Sequence, residues 1–276
     1  MRVIDTIAGA RTALQKRTGS IALVPTMGNL HEGHIALMEQ AHHYGQTVVA
    51  SIFVNRLQFR PGEDFEKYPR TFAADGEKLE TAGVDFLFAP HETEMYPTPQ
   101  GCYIEPPPEL THLLEGEYRP GHFRGVATVV MKLFQIIQPQ IALFGKKDWQ
   151  QLAVIREMVA TLNLPIEIIA GETVRAPDGL ALSSRNGYLS SAERAEAPRL
   201  HQVLMALSHA YRSAPTNRAT LESDALAELS HHGWMPDYVV IRDKIRLQSP
   251  PNRPEEGIVL AAAKLGTTRL IDNLEI

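Results

Sequence analysis

The 276-residue chain predicts an α/β fold: a Rossmann-like, doubly wound parallel sheet with a smaller C-terminal α+β domain. Three observations carry that expectation. Short β-rich runs alternate with segments of helical period as far as Ala170. The runs are continuously apolar, as in strands buried on both faces, rather than alternating with polar residues. After Ala170 the alternation stops, and a polar stretch leads into two helical segments and terminal strands.

Each element follows from its residues. MRVIDTIAGARTALQKR at the N-terminus predicts an amphipathic helix with scattered charge, without the unbroken apolar centre of a secretory leader. SIALVP (20–25), TVVASIFV (47–54), VDFLFAP (84–90), IALF (141–144) and PIEIIA (165–170) predict strands. Between them, helical period places helices at about 33–44, 70–82, 125–137 and 149–162. Such strand–helix alternation argues for right-handed crossovers between parallel strands. Beyond residue 171, GETVRAPDGLALSSRNGYL contains a Pro-Asp-Gly turn signal. Ser190 and Glu193 then fit a Ser-x-x-Glu capping box. Helices at about 191–213 and 217–232 follow. YVVIRD (238–243) and IVLAAAKLGTTRLIDNLEI (258–276) read as strands, with the loop SPPNRPEE before the last. The expected domains are therefore 1–171 and 172–276.

Composition narrows the partners. A formal net charge of −5 with no long basic run argues against nucleic acid. Cys102 is the single cysteine, so no intrachain disulfide is possible, and a reducing, cytoplasmic setting fits. The most apolar long segment, GVATVVMKLFQII (125–137), carries Lys132 and falls short of the roughly 20 residues that span a bilayer. No membrane partner is expected.

The stretch VPTMGNLHEGH (24–34) ends a strand and opens a helix. In an open α/β sheet, ligands bind beyond the carboxyl ends of the strands. Gly28 and Gly33 permit close backbone approach, and the helix N-terminus favours an anion. His31 and His34 would serve there as directed N–H donors, since the helix dipole disfavours imidazolium. Other motifs fit less well. G-x-G-x-x-G is absent, which argues against a nicotinamide enzyme. A P-loop would need Lys and Ser/Thr where His34 and Ile35 stand. Zinc would want H-E-x-x-H, one residue longer than H-E-G-H.

H-x-G-H after a first strand resembles the nucleotidyltransferase superfamily and the class I aminoacyl-tRNA synthetases. PTMGNLHEGH resembles more narrowly the pantothenate synthetase (pantoate–β-alanine ligase) family. The resemblance continues in SIFVNRLQF (51–59), YPRT (68–71), GEYRPGHFRGVATVV (116–130), FGKKDWQQL (144–152), DGLALSSRNGYLS (178–190) and TRLIDN (268–273). These blocks keep family order across nearly the whole chain.

That resemblance implies ATP contacts at Met27, Gly28, Asn29, Leu30, His31, Glu32, Gly33 and His34. It adds Gly145, Lys146, Lys147 and Asp148, then Val174, Leu182, Ser183, Ser184 and Arg185. His34, His31, Lys147 and Arg185 are expected to be catalytic. Lys147 would neutralise phosphate charge, while Asp148 would hold a divalent metal or a ribose. Ser hydroxyls and the Arg fork suit a pyrophosphate. Gln58 and Gln151 match the family's pantoate-binding glutamines, with Asn55 as a helper. Asp75 matches a carboxylate near Mg²⁺ and the triphosphate. Lys146, Arg56 and Ala74 depart from the family pattern.

The implied reaction joins (R)-pantoate and β-alanine through a pantoyl adenylate, consuming ATP and releasing AMP and pyrophosphate. Residues 1–171 would bind nucleotide and pantoate, and 172–276 would form a lid. The family also implies Mg²⁺ and a homodimer. Two rivals remain: a nucleotidyltransferase that leaves the adenylyl group on its product, and a non-catalytic ATP-binding regulator. Free AMP as product separates the ligase from the first, and pyrophosphate release separates it from the second.

Overall fold

Six parallel strands form the larger sheet: β1 (Arg2–Ile4), β2 (Ile21–Thr26), β3 (Thr47–Ile52), β4 (Phe86–Phe88), β5 (Ile141–Gly145) and β6 (Glu167–Gly171), in the order β1-β4-β3-β2-β5-β6. The second sheet is antiparallel, β7 (Trp234–Asp243), β8 (Gly257–Leu265) and β9 (Thr268–Glu275), ordered β7-β8-β9. This computed structural model describes residues 1–248, 250–251 and 253–276. Ser249 and Asn252 of the expected SPPNRPEE loop lie outside the described residues.

The chain divides into two compact units. The first comprises Met1–Pro107, Arg119–Lys146 and Val154–Glu172; the second comprises Pro108–Tyr118, Lys147–Ala153 and Thr173–Ile276. Two short segments on the N-terminal side of the expected 171/172 boundary, 108–118 and 147–153, thus fold with the C-terminal residues.

In the first unit, β2 and β3 pair in register from Ile21 opposite Thr47 to Thr26 opposite Ile52. Their apolar runs are buried: Ala22, Leu23, Val24, Val48 and Ala50 expose at most a trace of surface. The helices Glu32–Ala41 and Phe72–Thr81 contribute Met38, Ala41 and Leu79 to the core around Val24, Ala50, Leu87 and Leu143. Gly171 in β6 permits that closeness, because a Cβ there would meet Leu37 Cδ2 at 2.2 Å. The helix His122–Ile137 is buried along most of its length and packs against the helix Ile7–Leu14.

Residues of the second unit alternate strictly along β8. Val259, Ala261 and Ala263 join Leu204, Leu207 and Leu229 from the helical layer, with Trp234 of β7. Ile258, Leu260 and Ala262 join Leu114, Trp149, Tyr238 and Leu247 on the other face. A period of two on a sheet covered on both sides explains why the run reads as uniformly apolar.

Three elements differ from expectation. The N-terminal segment is not one helix: Arg2–Ile4 pairs with Phe86–Phe88 at the sheet edge, and the helix starts at Ile7 behind the N-cap Thr6. The helix predicted over 191–213 is two, Ser191–Glu196 and Arg199–Ser213. Pro198 has no N–H to donate into the helical ladder, so the hydrogen bonding breaks there. The final 258–276 segment is a hairpin, turning at Gly266 with φ +57°.

Candidate active site

β2 lies between β3 and β5, so the sheet order runs outward from it in both directions. That is the switch point at which open α/β sheets bind ligands. The loop after Thr26 and the Gly145–Lys146 turn leave neighbouring strand ends at this point.

Thr26 Oγ1 donates to Ser51 O at 2.7 Å and accepts from Gly28 N at 3.2 Å, turning the chain out of the sheet. Gly28 then takes φ +83°, and Asn29 follows at φ 50°. Asp75, 1% exposed, holds this turn from the helix Phe72–Thr81. Its oxygens accept Asn29 N and Leu30 N at 2.8 Å each, and Thr71 Oγ1 at 3.0 Å. Lys78 Nζ donates to Leu30 O at 2.6 Å.

The two histidines cap the helix Glu32–Ala41. His31 is the N-cap residue, and its Nδ1 accepts from Gly33 N at 3.2 Å. His34 Nδ1 accepts from His31 N at 3.2 Å, completing a reciprocal capping box. An imidazole nitrogen that accepts has no proton, so in the neutral ring the other nitrogen carries it. Both rings are therefore Nε2–H donors, and their centroids lie 4.0 Å apart. A proton added at either Nδ1 would remove half of the cap. The loop thus places two neutral donors where the helix amino end also favours negative charge.

Beside it, Asn55 is 1% exposed and Gln58 is buried. Asn55 Nδ2 donates to Gln58 Oε1 and to Gly125 O, both at 3.1 Å. Gln58 Nε2 stands 3.2 Å from Met27 Sδ, a weak acceptor, which leaves that amide suited to a stronger one. Tyr96 donates its hydroxyl to Asn55 Oδ1 at 2.7 Å. Burial, with the Glu92 charge, pushes its phenol well up, so it keeps its proton. His122 Nδ1 (2.9 Å) and Arg119 Nη2 (3.3 Å) contact Gln58 O. Arg119 also forks onto Glu63 at 2.8 and 3.1 Å. Burial would raise the Glu63 carboxyl, but Arg119 and Arg60 hold it down at about 2.

Lys146, the last residue of the β5 turn in this unit, pairs with Glu172 at 2.6 Å. The remaining expected residues belong to the second unit. Lys147 Nζ lies 4.0 Å from Asp148 Oδ2, and Gln151 lies one turn further on, in the helix Trp149–Thr161. Val174 O accepts Leu182 N at 3.0 Å, closing a small hairpin around the Pro177-Asp178-Gly179 turn. Ser183 then caps the 3₁₀ turn Ser184–Tyr188 by accepting Arg185 N at 3.2 Å.

The structure gathers Met27–His34, Asn55, Gln58 and Asp75 at the switch point of the first unit, and Lys147, Asp148, Gln151, Val174 and Leu182–Arg185 in the second. Asp75 is tied to the loop, its two oxygens accepting the Asn29 and Leu30 amides. Tyr96, Arg119 and His122 were not expected. The block GEYRPGHF carried the signal for the last two, but nothing local says that their side chains reach Gln58.

Fold and site define a class: a doubly wound α/β protein whose switch point carries a helix capped reciprocally by two histidines. The pantoate-beta-alanine ligase family model matches residues 2–275. The pantothenate synthetase of Leptothrix cholodnii is 54% identical over the full length of both chains. A crystal structure of the Thermus thermophilus pantothenate synthetase superposes with TM-score 0.94 at 44% identity, covering 100% of this chain and 99% of that one. The Francisella tularensis pantoate–β-alanine ligase, complexed with β,γ ATP and β-alanine, does so with TM-score 0.85 at 33% identity, covering 100% and 97%. The chain belongs to the pantoate–β-alanine ligase family.

Proposed function

We propose that the protein condenses (R)-pantoate with β-alanine through a pantoyl adenylate, with the roles below for its own residues. A carboxylate is a poor acyl donor, because its leaving group would be oxide. Attack of the pantoate carboxylate oxygen on the α-phosphorus of ATP breaks the bond to pyrophosphate and gives a mixed anhydride. The neutral amine of β-alanine then attacks the anhydride carbonyl, AMP leaves, and the nitrogen sheds a proton. Pantoate is already ionised at neutral pH, so the first step needs alignment and charge neutralisation rather than a base.

The observation that carries this reading is the reciprocal histidine cap. Nε2–H of His31 and of His34 donate to phosphate oxygens, and the cap fixes both tautomers before nucleotide arrives. Lys147, Ser183, Ser184 and Arg185 take the charge that develops on departing pyrophosphate. Backbone of Gly28–Gly33 and of Gly145–Asp148, with Val174 and Leu182, lines the nucleotide. Gln58 and Gln151, helped by Asn55, take the pantoate oxygens.

Among the described residues no cluster of three or more His, Cys, Asp or Glu is built to hold a metal. Asp148, with its side chain 48% exposed, suits a Mg²⁺ that takes most of its ligands from phosphate and water. Bound there, Mg²⁺ would neutralise charge on the triphosphate. Among the described residues no helix is long and apolar enough to cross a membrane. A cytoplasmic homodimer remains part of the proposal, and sedimentation analysis tests its second half.

Two measurements test the scheme. His34→Ala is expected to lower turnover by roughly 10²–10³, the usual effect of losing one preorganised donor. A folded variant with near-full rate removes His34 from the mechanism. Pantoate without β-alanine should support exchange of labelled pyrophosphate into ATP; a requirement for both substrates would count against a free adenylate.

A further inference from the structure

We infer that Asp272 and Asn273, successive residues of β9, are positioning residues for ATP handling, fastening the Lys147 turn and the 174–185 loop to one strand. The inference rests on the proposed contact of Lys147 and Leu182–Arg185 with the triphosphate.

Both side chains are buried polar groups, 4% and 6% exposed, in a strand whose neighbours form the core. Each is committed to one of the two loops. Asn273 Nδ2 donates to the backbone carbonyl of Lys147 at 2.8 Å. Asp272 receives the Arg175 guanidinium bidentately, at 2.6 and 2.9 Å. Burial pushes the Asp272 carboxyl up, yet neighbouring His201 and Arg175 hold it below the ordinary carboxylate range. It therefore stays charged.

The same guanidinium reaches Asn273 O at 3.1 Å and Gly179 O at 3.2 Å. One cation thus ties the strand to the turn of the 174–182 hairpin. Arg175 bridges Ala181 across that hairpin, and Leu182–Arg185 follow directly. Asp272 Oδ1 also accepts Asn273 N at 2.8 Å, so the two anchors brace each other. A cavity of about 10 Å³, lined among others by Lys147, Ser183, His201 and Asp272, lies at this junction. Phosphate-binding groups gain from fixed geometry, since small misplacement costs rate out of proportion. β9 supplies that fixity to both groups.

Asn273→Asp keeps size and shape while turning an acceptor toward the Lys147 carbonyl. Asn273→Ala removes the donor without adding charge and carries the test if the first variant fails to fold. Asp272→Asn probes the other anchor, and Lys147→Ala, which leaves the backbone carbonyl in place, is measured in parallel. At a temperature where circular dichroism shows each variant folded, the Asn273 and Asp272 variants should lose about tenfold or more in kcat/KM for ATP and in pyrophosphate exchange. KM for β-alanine should stay within about twofold. A merely stabilising pair would lower the melting temperature and leave those rates intact. Unchanged rates beside an inactive Lys147→Ala overturn this inference and spare the site assignment. Unchanged rates in Lys147→Ala as well overturn both.

Discussion

His31 and His34 spend one ring nitrogen each on backbone, and this is what makes the other useful. A histidine free to flip or to take a second proton would offer phosphate a variable partner; one that caps a helix has its tautomer assigned by the fold. Asp75 works in the same way one layer back. Its oxygens accept the Asn29 and Leu30 amides that precede the cap. Asp75→Asn would turn an NH₂ toward one of those donors, leaving a buried N–H unpaired at a cost of about 1–3 kcal/mol. Denaturant titration should register that loss, and ATP turnover should fall with it. Raising Mg²⁺ should not restore the rate; restoration would return Asp75 to the metal. The motif itself was readable in sequence because a glycine, two histidines and a helix start lie within eleven residues. Asp75's task was not, since the loop amides it accepts, those of Asn29 and Leu30, are more than forty residues away.

At the level of elements, the helix His122–Ile137 sits so close to the 55–58 turn that a Cβ on Gly125 would lie 2.3 Å from Leu57 O. Gly→Ala inside a helix ordinarily stabilises by about 1 kcal/mol. Gly125→Ala should instead destabilise, by about 1–3 kcal/mol, because backbone would have to yield. It should also raise KM for pantoate by moving Gln58. A stabilised variant would contradict that packing. The Arg119–Glu63 pair braces the same turn and should give a pH signature. Glu63 ionises at about 2 in the fold against an ordinary 4.5, so its contribution is full above the higher value and disappears as pH falls through the lower. The stability difference between the wild type and Glu63→Gln should be constant at neutral pH and shrink between about 4.5 and 2. Long periodic elements were legible for a local reason: a helix or a doubly covered strand writes its burial into consecutive residues. β1 was not, because three residues at an edge take their conformation from Phe86–Phe88.

For the whole molecule, the second unit is not contiguous in sequence. Glu115 and Trp149 fold with it: Arg269 Nη1 and Nη2 each reach Glu115 at 2.7 Å, and Trp149 packs with Leu247, Ile258 and Leu260. A fragment of residues 173–276 should therefore lack a cooperative urea transition, having lost one covering of its sheet and one of the two carboxylates paired with half-buried Arg269. A sharp transition in that fragment would show the two segments to be dispensable. The sequence by itself determined the class of fold, the order of most elements and the H-x-G-H motif. All of these are written in short-range pattern, where chemistry and period repeat over a few residues. Only the tertiary structure decided that 108–118 and 147–153 join the second unit, that Asp75 serves the loop, and that β9 anchors Lys147 and Arg175. Those choices depend on hydrogen bonds and burial between residues far apart in the chain, and no local pattern encodes which distant partner a side chain will meet.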